Sequence, residues 1–222
     1  MKKIIAITGL KGSGKDTTAD FIIKHNKGWE KDSFAASLKD AVSAIFGWDR
    51  KMLAGETPED RTIRESKDEF WSDRLGFDVT PRNILQKLGT DCIRNHFNND
   101  IWVYSLEHKI HNASNNVIIT DCRFQNEITQ LKKLGATFIR VMRDPIPEWF
   151  SDAIELNHYK QGGLNLPDEH IFSTIEKLKN VHISEYDWIG VDYPDYIISN
   201  NGSLEDLEQE VCKIMEKING VV

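Results

Sequence analysis

Gly9, four further residues and then Gly14-Lys15, within "GLKGSGKDTT", form the skeleton of a loop that can wrap a phosphate. Glycines let the backbone bend around the anion and aim its N–H groups inward, and the helix that follows adds a positive dipole end. The Lys15 ammonium would lie over the β- and γ-phosphates. The next position usually supplies a Ser or Thr hydroxyl to Mg²⁺, and here it is Asp16. A carboxylate can also hold a hard cation, directly or through its water shell, and Thr17 can offer a hydroxyl to a phosphate oxygen. Asp16 would also favour the helix start through the dipole alone.

Two further constellations carry polar chemistry. In "DCRFQNE" (121–127), Asp121 follows an apolar strand pattern, and Arg123 and Glu127 stand four apart at the start of the next helix. Such a pair is either a solvated i,i+4 contact or part of a site at the carboxyl end of the sheet. In the helical pattern 81–97, Arg82, Gln86, Gly89 and Thr90 make a polar stripe opposite Ile84, Leu85, Leu88 and Cys92. Gly89 costs about 1 kcal/mol against Ala inside a helix, so something is expected to approach it closely. Trp102 either stacks a base or fills the core, and periodicity alone favours the core.

The elements that must position these residues follow from patterning. "IIAIT" (4–8), "VIITD" (117–121), "TFIRVM" (137–142) and "DYIIS" (195–199) are short apolar runs suited to strands buried on both faces. A further short strand is expected near 32–35. Helices are expected from Asp16 to about His25 and after Ser37, with Ser37 and Asp40 as a capping pair and Leu38, Ala41, Val42, Ile45 and Phe46 inward. Others span 80–97 behind Thr80 and Pro81, 99–112, the stretch after 124 that closes at Gly135, and the tail behind Ser203, with Leu204, Leu207, Val211, Ile214 and Ile218 inward. Strands alternating with helices predict a five-stranded parallel sheet in an α/β protein of the P-loop type. The glycine loop lies where that fold needs it, directly after the first strand and before a helix.

The 222 residues suit one domain: a core of 1–45, 81–144 and 191–222, an insertion at 46–80 and a second, lid-like one at 145–190. A net charge of −7 argues against nucleic acid as the partner, since that needs clustered Lys and Arg. Three scattered cysteines, none in a C-x-x-C pair, point to reduced thiols. No apolar run approaches membrane-spanning length, and the basic start runs straight into the glycine loop, so a cytoplasmic protein is expected.

With the loop, "LGTD" (88–91), "NDIW" (99–102), "TDxRxxxE" (120–127), "LGAT" (134–137), "HISE" (182–185) and "NNGSLEDL" (200–207) in this order, the chain resembles the bacteriophage deoxynucleoside monophosphate kinases. The resemblance is strong over 1–45, 80–144 and the C-terminal 30 or so residues, and weak over 46–80 and 145–180. Asp16 in the Ser/Thr place is that family's form of the loop. The resemblance implies transfer of the γ-phosphoryl of ATP to a deoxynucleoside monophosphate with Mg²⁺, in the host bacterial cytoplasm if phage-encoded, and leaves room for a homodimer. It implies an ATP site from Lys11, Gly12, Ser13, Gly14, Lys15, Asp16 and Thr17, with Asp16 and Thr17 at the metal. Acceptor contacts would come from Lys11, Lys39, Arg61, Arg82, Gln86, Gly89, Thr90, Trp102, Asp121, Arg123 and Glu127. Lys15, Asp16, Arg82 and Arg123 would carry the catalysis, in line with a reaction that needs positioning and charge neutralisation more than covalent chemistry. Arg143 is either a group reaching the transferring phosphates or a strand-end surface residue, and "NNGS" either packs adenine or caps a helix.

Two other readings compete. A P-loop kinase of another phosphorylated metabolite would share the loop but not the acceptor constellation. A GTPase-type switch would need a guanine-reading N-K-x-D after a late strand, and "SNNGS" is not that.

Overall fold

The computed structural model describes residues 2–220, in two compact units. In chain order the elements are β1 (Ile4–Thr8), α1 (Lys15–His25) and β2 (Trp29–Asp32), then α2 (Ala36–Phe46), α3 (Arg50–Ala54), α4 (Pro58–Glu65) and α5 (Glu69–Leu75). Next come α6 (Pro81–Gln86), running into a π-helical stretch over Lys87–Arg94, and α7 (Ile101–Asn112). The chain then forms β3 (Asn116–Ile119), α8 (Gln125–Lys133), β4 (Thr137–Met142), α9 (Trp149–Lys160), α10 (Asp168–Leu178), α11 (Ile183–Tyr186), β5 (Tyr196–Ser199) and α12 (Leu204–Asn219). One unit runs to Ser33 and resumes at Ala113; the other is Phe34–Asn112.

The first unit holds the whole sheet, five parallel strands in the order β2-β3-β1-β4-β5. This is the P-loop fold expected from the strand–loop–helix pattern. β1 is apolar throughout because it is buried throughout. It lies between β3 and β4, with Ile5 opposite Ile118 on one side and Thr137 on the other. Its Ile5 and Ile7 share a core with Ala19 and Ile22 of α1 and with Leu207, Val211, Ile214 and Met215 of α12. Each fully buried aliphatic side chain is worth about 1.5–3 kcal/mol, so this layer sets the sheet rigidly under the glycine loop. The neighbouring strands β1 and β3 run in parallel, so their carboxyl ends deliver two turns side by side, residues 9–14 and 120–124. Ligands of open α/β sheets bind at such a place.

Some local expectations are corrected. The second strand lies at 29–32, not 32–35. It reads "WEKD", with only Trp29 buried, and such a polar strand is tolerated because it is the sheet edge. Ser37 is not an N-cap: α2 begins after Ala35, the Ser37 hydroxyl meets that of Ser105, and Asp40 pairs with Arg50 at 2.5 Å. Ile45 and Leu204, both expected inward, are 61% and 62% exposed. Ser203 does cap α12, in a reciprocal pair with Asp206.

In the second unit, Leu38, Val42, Met52, Leu53, Val79, Ile84 and Trp102 form a core, so segment 46–80 supplies three of its buried residues. Thr80 caps α6 with Pro81 in the first turn, as their spacing predicts, and Asn83 completes a reciprocal pair by accepting from the Thr80 N–H. Among the described residues no helix is long and apolar enough to cross a membrane.

Candidate functional site

The glycine loop follows Thr8 directly and turns at Gly9, Gly12 and Gly14, with φ of 148°, 81° and 103°. Space as well as conformation demands glycine at two of these. A Cβ on Gly9 would stand 2.4 Å from the Val141 carbonyl oxygen and 2.6 Å from Ser13 Oγ, and one on Gly14 would stand 2.4 Å from Asn200 Nδ2. Asn200, from the "NNGS" segment, donates through Nδ2 to the Ser13 carbonyl at 2.8 Å and so fastens the loop from outside. Beneath it lies a group that patterning did not single out. Asp192, fully buried, accepts from Thr8 Oγ1 at 2.7 Å and from Arg140 Nε at 2.9 Å, with a second, shorter contact to Arg140 Nη2. Arg140 sits within the apolar run "TFIRVM", and an arginine there is the one local sign that a buried partner exists.

Lys15 Nζ donates to the Gly9 and Leu10 carbonyls, both at 2.8 Å. Burial chiefly, and then the Arg123 charge, push its pKa down from 10.5 to about 8, while Asp16 and Glu185 pull the other way. Ser13 Oγ is buried, on a residue 2% exposed, and among the described residues finds no hydrogen-bond partner. An ammonium held only by carbonyls and an orphaned hydroxyl inside a glycine loop fit a polyphosphate, whose oxygens would satisfy both. Lys11 and Gly12 lie exposed at the tip.

Asp16 is exposed in the first turn of α1, and its Oδ1 accepts from Thr120 Oγ1 at 2.9 Å; Thr17 beside it is half-buried. Among the described residues no group of three or more His, Cys, Asp or Glu could hold a metal by itself. Mg²⁺ accepts carboxylate and hydroxyl oxygens and needs only one or two protein ligands, so Asp16 and Thr17 are donors of the kind it takes.

The adjacent turn, 120–124, resolves the Arg123–Glu127 pair in an unexpected way. Glu127 is 2% exposed and turns its carboxylate to the backbone, with Oε2 accepting from the N–H groups of Arg123 at 2.8 Å and Phe124 at 3.2 Å. It is neither a solvated partner of Arg123 nor turned outward. The Arg123 guanidinium instead donates through Nη1 to Glu185 Oε1 at 2.8 Å. Asp121 is half-buried, and the Cys122 thiol between them is pushed well up by burial and by the nearby Glu127 and Asp121 carboxylates. The first unit therefore brings together Lys11 to Thr17 with Asp121, Arg123 and Glu127, and adds Thr120 and Glu185. Arg143 is exposed one residue beyond β4.

The remaining candidates belong to the second unit. Arg82, Gln86 and Thr90 are exposed, and Lys39 is half-buried on α2. Gly89 is buried because Leu38 comes close: a Cβ there would stand 2.6 Å from Leu38 Cδ2. Trp102 is 8% exposed and donates Nε1 to the Gly89 carbonyl at 3.0 Å, so it packs in the core of this unit and ties down the π-helical turn. Arg61 is exposed and donates to the Gly55 and Glu56 carbonyls, both at 3.0 Å. Patterning missed Arg64: its pKa is lowered by burial, then by the Arg82 charge and also by Arg61, and its buried Nε has no partner among the described residues. Arg64 is thus repelled by both Arg82 and Arg61 and relieved in part by Glu65, a concentration of positive charge that suits an anion.

Comparison with known proteins joins these observations. A family model described as deoxynucleotide monophosphate kinase matches residues 61–172, half of the chain, and that stretch excludes the glycine loop. The deoxynucleotide monophosphate kinase of Enterobacteria phage T4 is 26% identical over 265 residues, covering 94% of this chain and 97% of its own. A protein of Acanthamoeba polyphaga mimivirus, provisionally assigned as the same kinase, is 32% identical over 157 residues, 64% of this chain and 75% of its own. Among solved structures, shikimate kinase from Acinetobacter baumannii is 14% identical, covers 99% of this chain and 94% of its own, and overlays with a TM-score of 0.46. The family match lies outside the loop, yet the loop stands where a kinase needs it, and the two are independent: the chain belongs to the deoxynucleotide monophosphate kinase family.

Proposed function

We propose that this chain transfers the γ-phosphoryl group of ATP to a deoxynucleoside monophosphate, giving ADP and the deoxynucleoside diphosphate. The observation that carries this is the Lys15 ammonium, held at the loop by two carbonyls and within the field of Arg123 on the adjacent turn. The loop N–H groups, Ser13 Oγ and Lys15 would bind the β- and γ-phosphates, with Lys11 and Arg143 reaching them from the rim. Asp16, oriented by Thr120, and Thr17 would hold Mg²⁺, which when bound neutralises charge developing on the phosphoryl oxygens.

On the acceptor side, Arg61, Arg64 and Arg82 supply positive charge for the monophosphate, and Lys39, Gln86 and Thr90 supply polar contacts to it or to the base. Asp121 and Arg123 would serve the acceptor from the carboxyl end of the sheet. Glu127, Gly89 and Trp102 act from within, the first by fixing the Arg123 turn and the other two by shaping the helix that carries Gln86 and Thr90. Segments 46–80 and 145–190 are assigned to acceptor binding and to a lid.

A coupled assay of ADP release, run with each deoxynucleoside and ribonucleoside monophosphate, tests the proposal. One or more deoxynucleoside monophosphates should stimulate ADP formation. If folded protein with Mg²⁺ and ATP responds to none of them, the assignment fails.

A further inference from the structure

Glu185 lies on α11, in the stretch of helices between β4 and β5, and its carboxylate is the group that Arg123 Nη1 meets, at 2.8 Å. Among the described residues no hydrogen bond is made by Arg123 Nε or Nη2. We propose that Glu185 is a positioning residue for phosphoryl transfer, holding one edge of the Arg123 guanidinium so that the other, Nε and Nη2, faces the phosphorylated acceptor. The inference rests on the reading of Arg123 as an acceptor-side group.

The carboxylate can do this because its support is rigid. Asn157, fully buried on α9, donates Nδ2 to the Tyr186 carbonyl at 2.7 Å and to the Ile189 carbonyl at 2.9 Å. The buried Trp188 donates Nε1 to the Glu185 carbonyl at 3.0 Å. Two residues on, Asp187 Oδ2 accepts from the Gln125 N–H at 3.0 Å. Glu185 and Asp187 thus grip the same turn, one on the Arg123 side chain and one on the backbone beside it. On the turn itself, Glu127 holds the Arg123 N–H from beneath. Arg123 is thus held at both ends, its backbone N–H by Glu127 and its guanidinium by Glu185.

Stability alone does not account for the arrangement. The two side chains are 42% and 32% exposed, and a pair so open to water contributes little to folding. A planar fork aimed at a phosphate, by contrast, gains from being held in advance, because less order is lost when the ligand binds. The opposite possibility is that Glu185 merely occupies Arg123 and competes with the acceptor, and the two differ in sign.

Steady-state kinetics on the full chain decide it, with Glu185→Ala, Glu185→Gln, Arg123→Ala and the Arg123→Ala/Glu185→Ala double variant. Glu185→Ala should lower kcat/KM for the deoxynucleoside monophosphate by about three- to tenfold, with KM for ATP and the melting temperature unchanged. Glu185→Gln keeps an oxygen acceptor and should fall between wild type and Glu185→Ala. In the Arg123→Ala background, Glu185→Ala should cost nothing further. The proposal is overturned if the two substitutions act additively, or if Glu185→Ala leaves acceptor efficiency unchanged or raises it while Arg123→Ala lowers it. Wild-type acceptor kinetics in Arg123→Ala would instead remove the Arg123 reading itself, and this proposal with it.

Discussion

Binding of the nucleotide should be linked to proton uptake through Lys15. In the free protein the ammonium has two carbonyl partners, and burial followed by Arg123 brings its pKa to about 8 against the usual 10.5. Oxygens of a bound polyphosphate would favour the charged form and raise that value. A lowered value in the free state means protons are missing there and must be taken up on binding. With a pKa of about 8 the free protein lacks about a tenth of this proton at pH 7, about half at pH 8 and about nine-tenths at pH 9. If the complex stays protonated throughout, affinity for ATP should drop about tenfold between pH 7 and pH 9, most steeply at the upper end. Calorimetry at pH 8 in two buffers of different ionisation enthalpy counts the protons directly. Phosphate groups titrate near pH 6, so ATP itself contributes almost nothing at pH 8, and the Cys122 thiol is pushed too high to contribute. Lys15→Met is the reference. Equal proton uptake by wild type and Lys15→Met, or an affinity flat from pH 7 to pH 9, would refute the reasoning.

Three other outcomes are expected. Arg123→Ala should lose about 1.5–3 kcal/mol of acceptor transition-state binding, about ten- to hundredfold in kcat/KM for the deoxynucleoside monophosphate, while KM for ATP and the melting temperature hold. Asp16→Ala should lose turnover that added Mg²⁺ partly restores, whereas Lys15→Ala should not respond; an unchanged Mg²⁺ dependence at Asp16 would leave it only the helix-start role. Gly89→Ala places a methyl 2.6 Å from Leu38 Cδ2, an overpacking cost of about 1–3 kcal/mol, set against about 1 kcal/mol that Ala gains over Gly in a helix. The net should be a destabilisation of up to about 2 kcal/mol, visible as a lower midpoint in denaturant titration. A midpoint equal to or above that of wild type would mean that the Leu38 side chain moves aside for no more than the helix gain.

Where a local rule had one solution, the sequence was readable. β1 is five apolar residues because both its faces are covered, the glycine loop follows because only Gly fits against Val141 and Asn200, and Ser203 and Thr80 cap helices through partners three residues away. Where a residue's partner is remote, spacing misled. Ser37 and Asp40 have the pattern of a cap, but Ser105 and Arg50 take them instead. Gly89 announced a close neighbour, but spacing could not say that the neighbour is Leu38. β2 escaped because an edge strand need not be apolar.

The Arg123–Glu127 pair shows why the site was less legible than the fold. Four-residue spacing offers two outcomes, a surface ion pair or a joint site, and both assume that the side chains turn to each other or outward together. In the structure they part: Glu127 serves two backbone N–H groups and Arg123 reaches Glu185, 62 residues along the chain. The family resemblance put Arg123 and Glu127 in one set of acceptor contacts, and "HISE", which contains Glu185, among its motifs, but nothing in spacing could couple 123 to 185. A motif names the chemical groups a reaction needs. Which edge of a guanidinium stays open to a phosphate depends on a partner that only the folded chain supplies, and for that reason substitution at Glu185 tests the acceptor site more sharply than substitution at Glu127, whose loss would disturb the backbone of the turn as well.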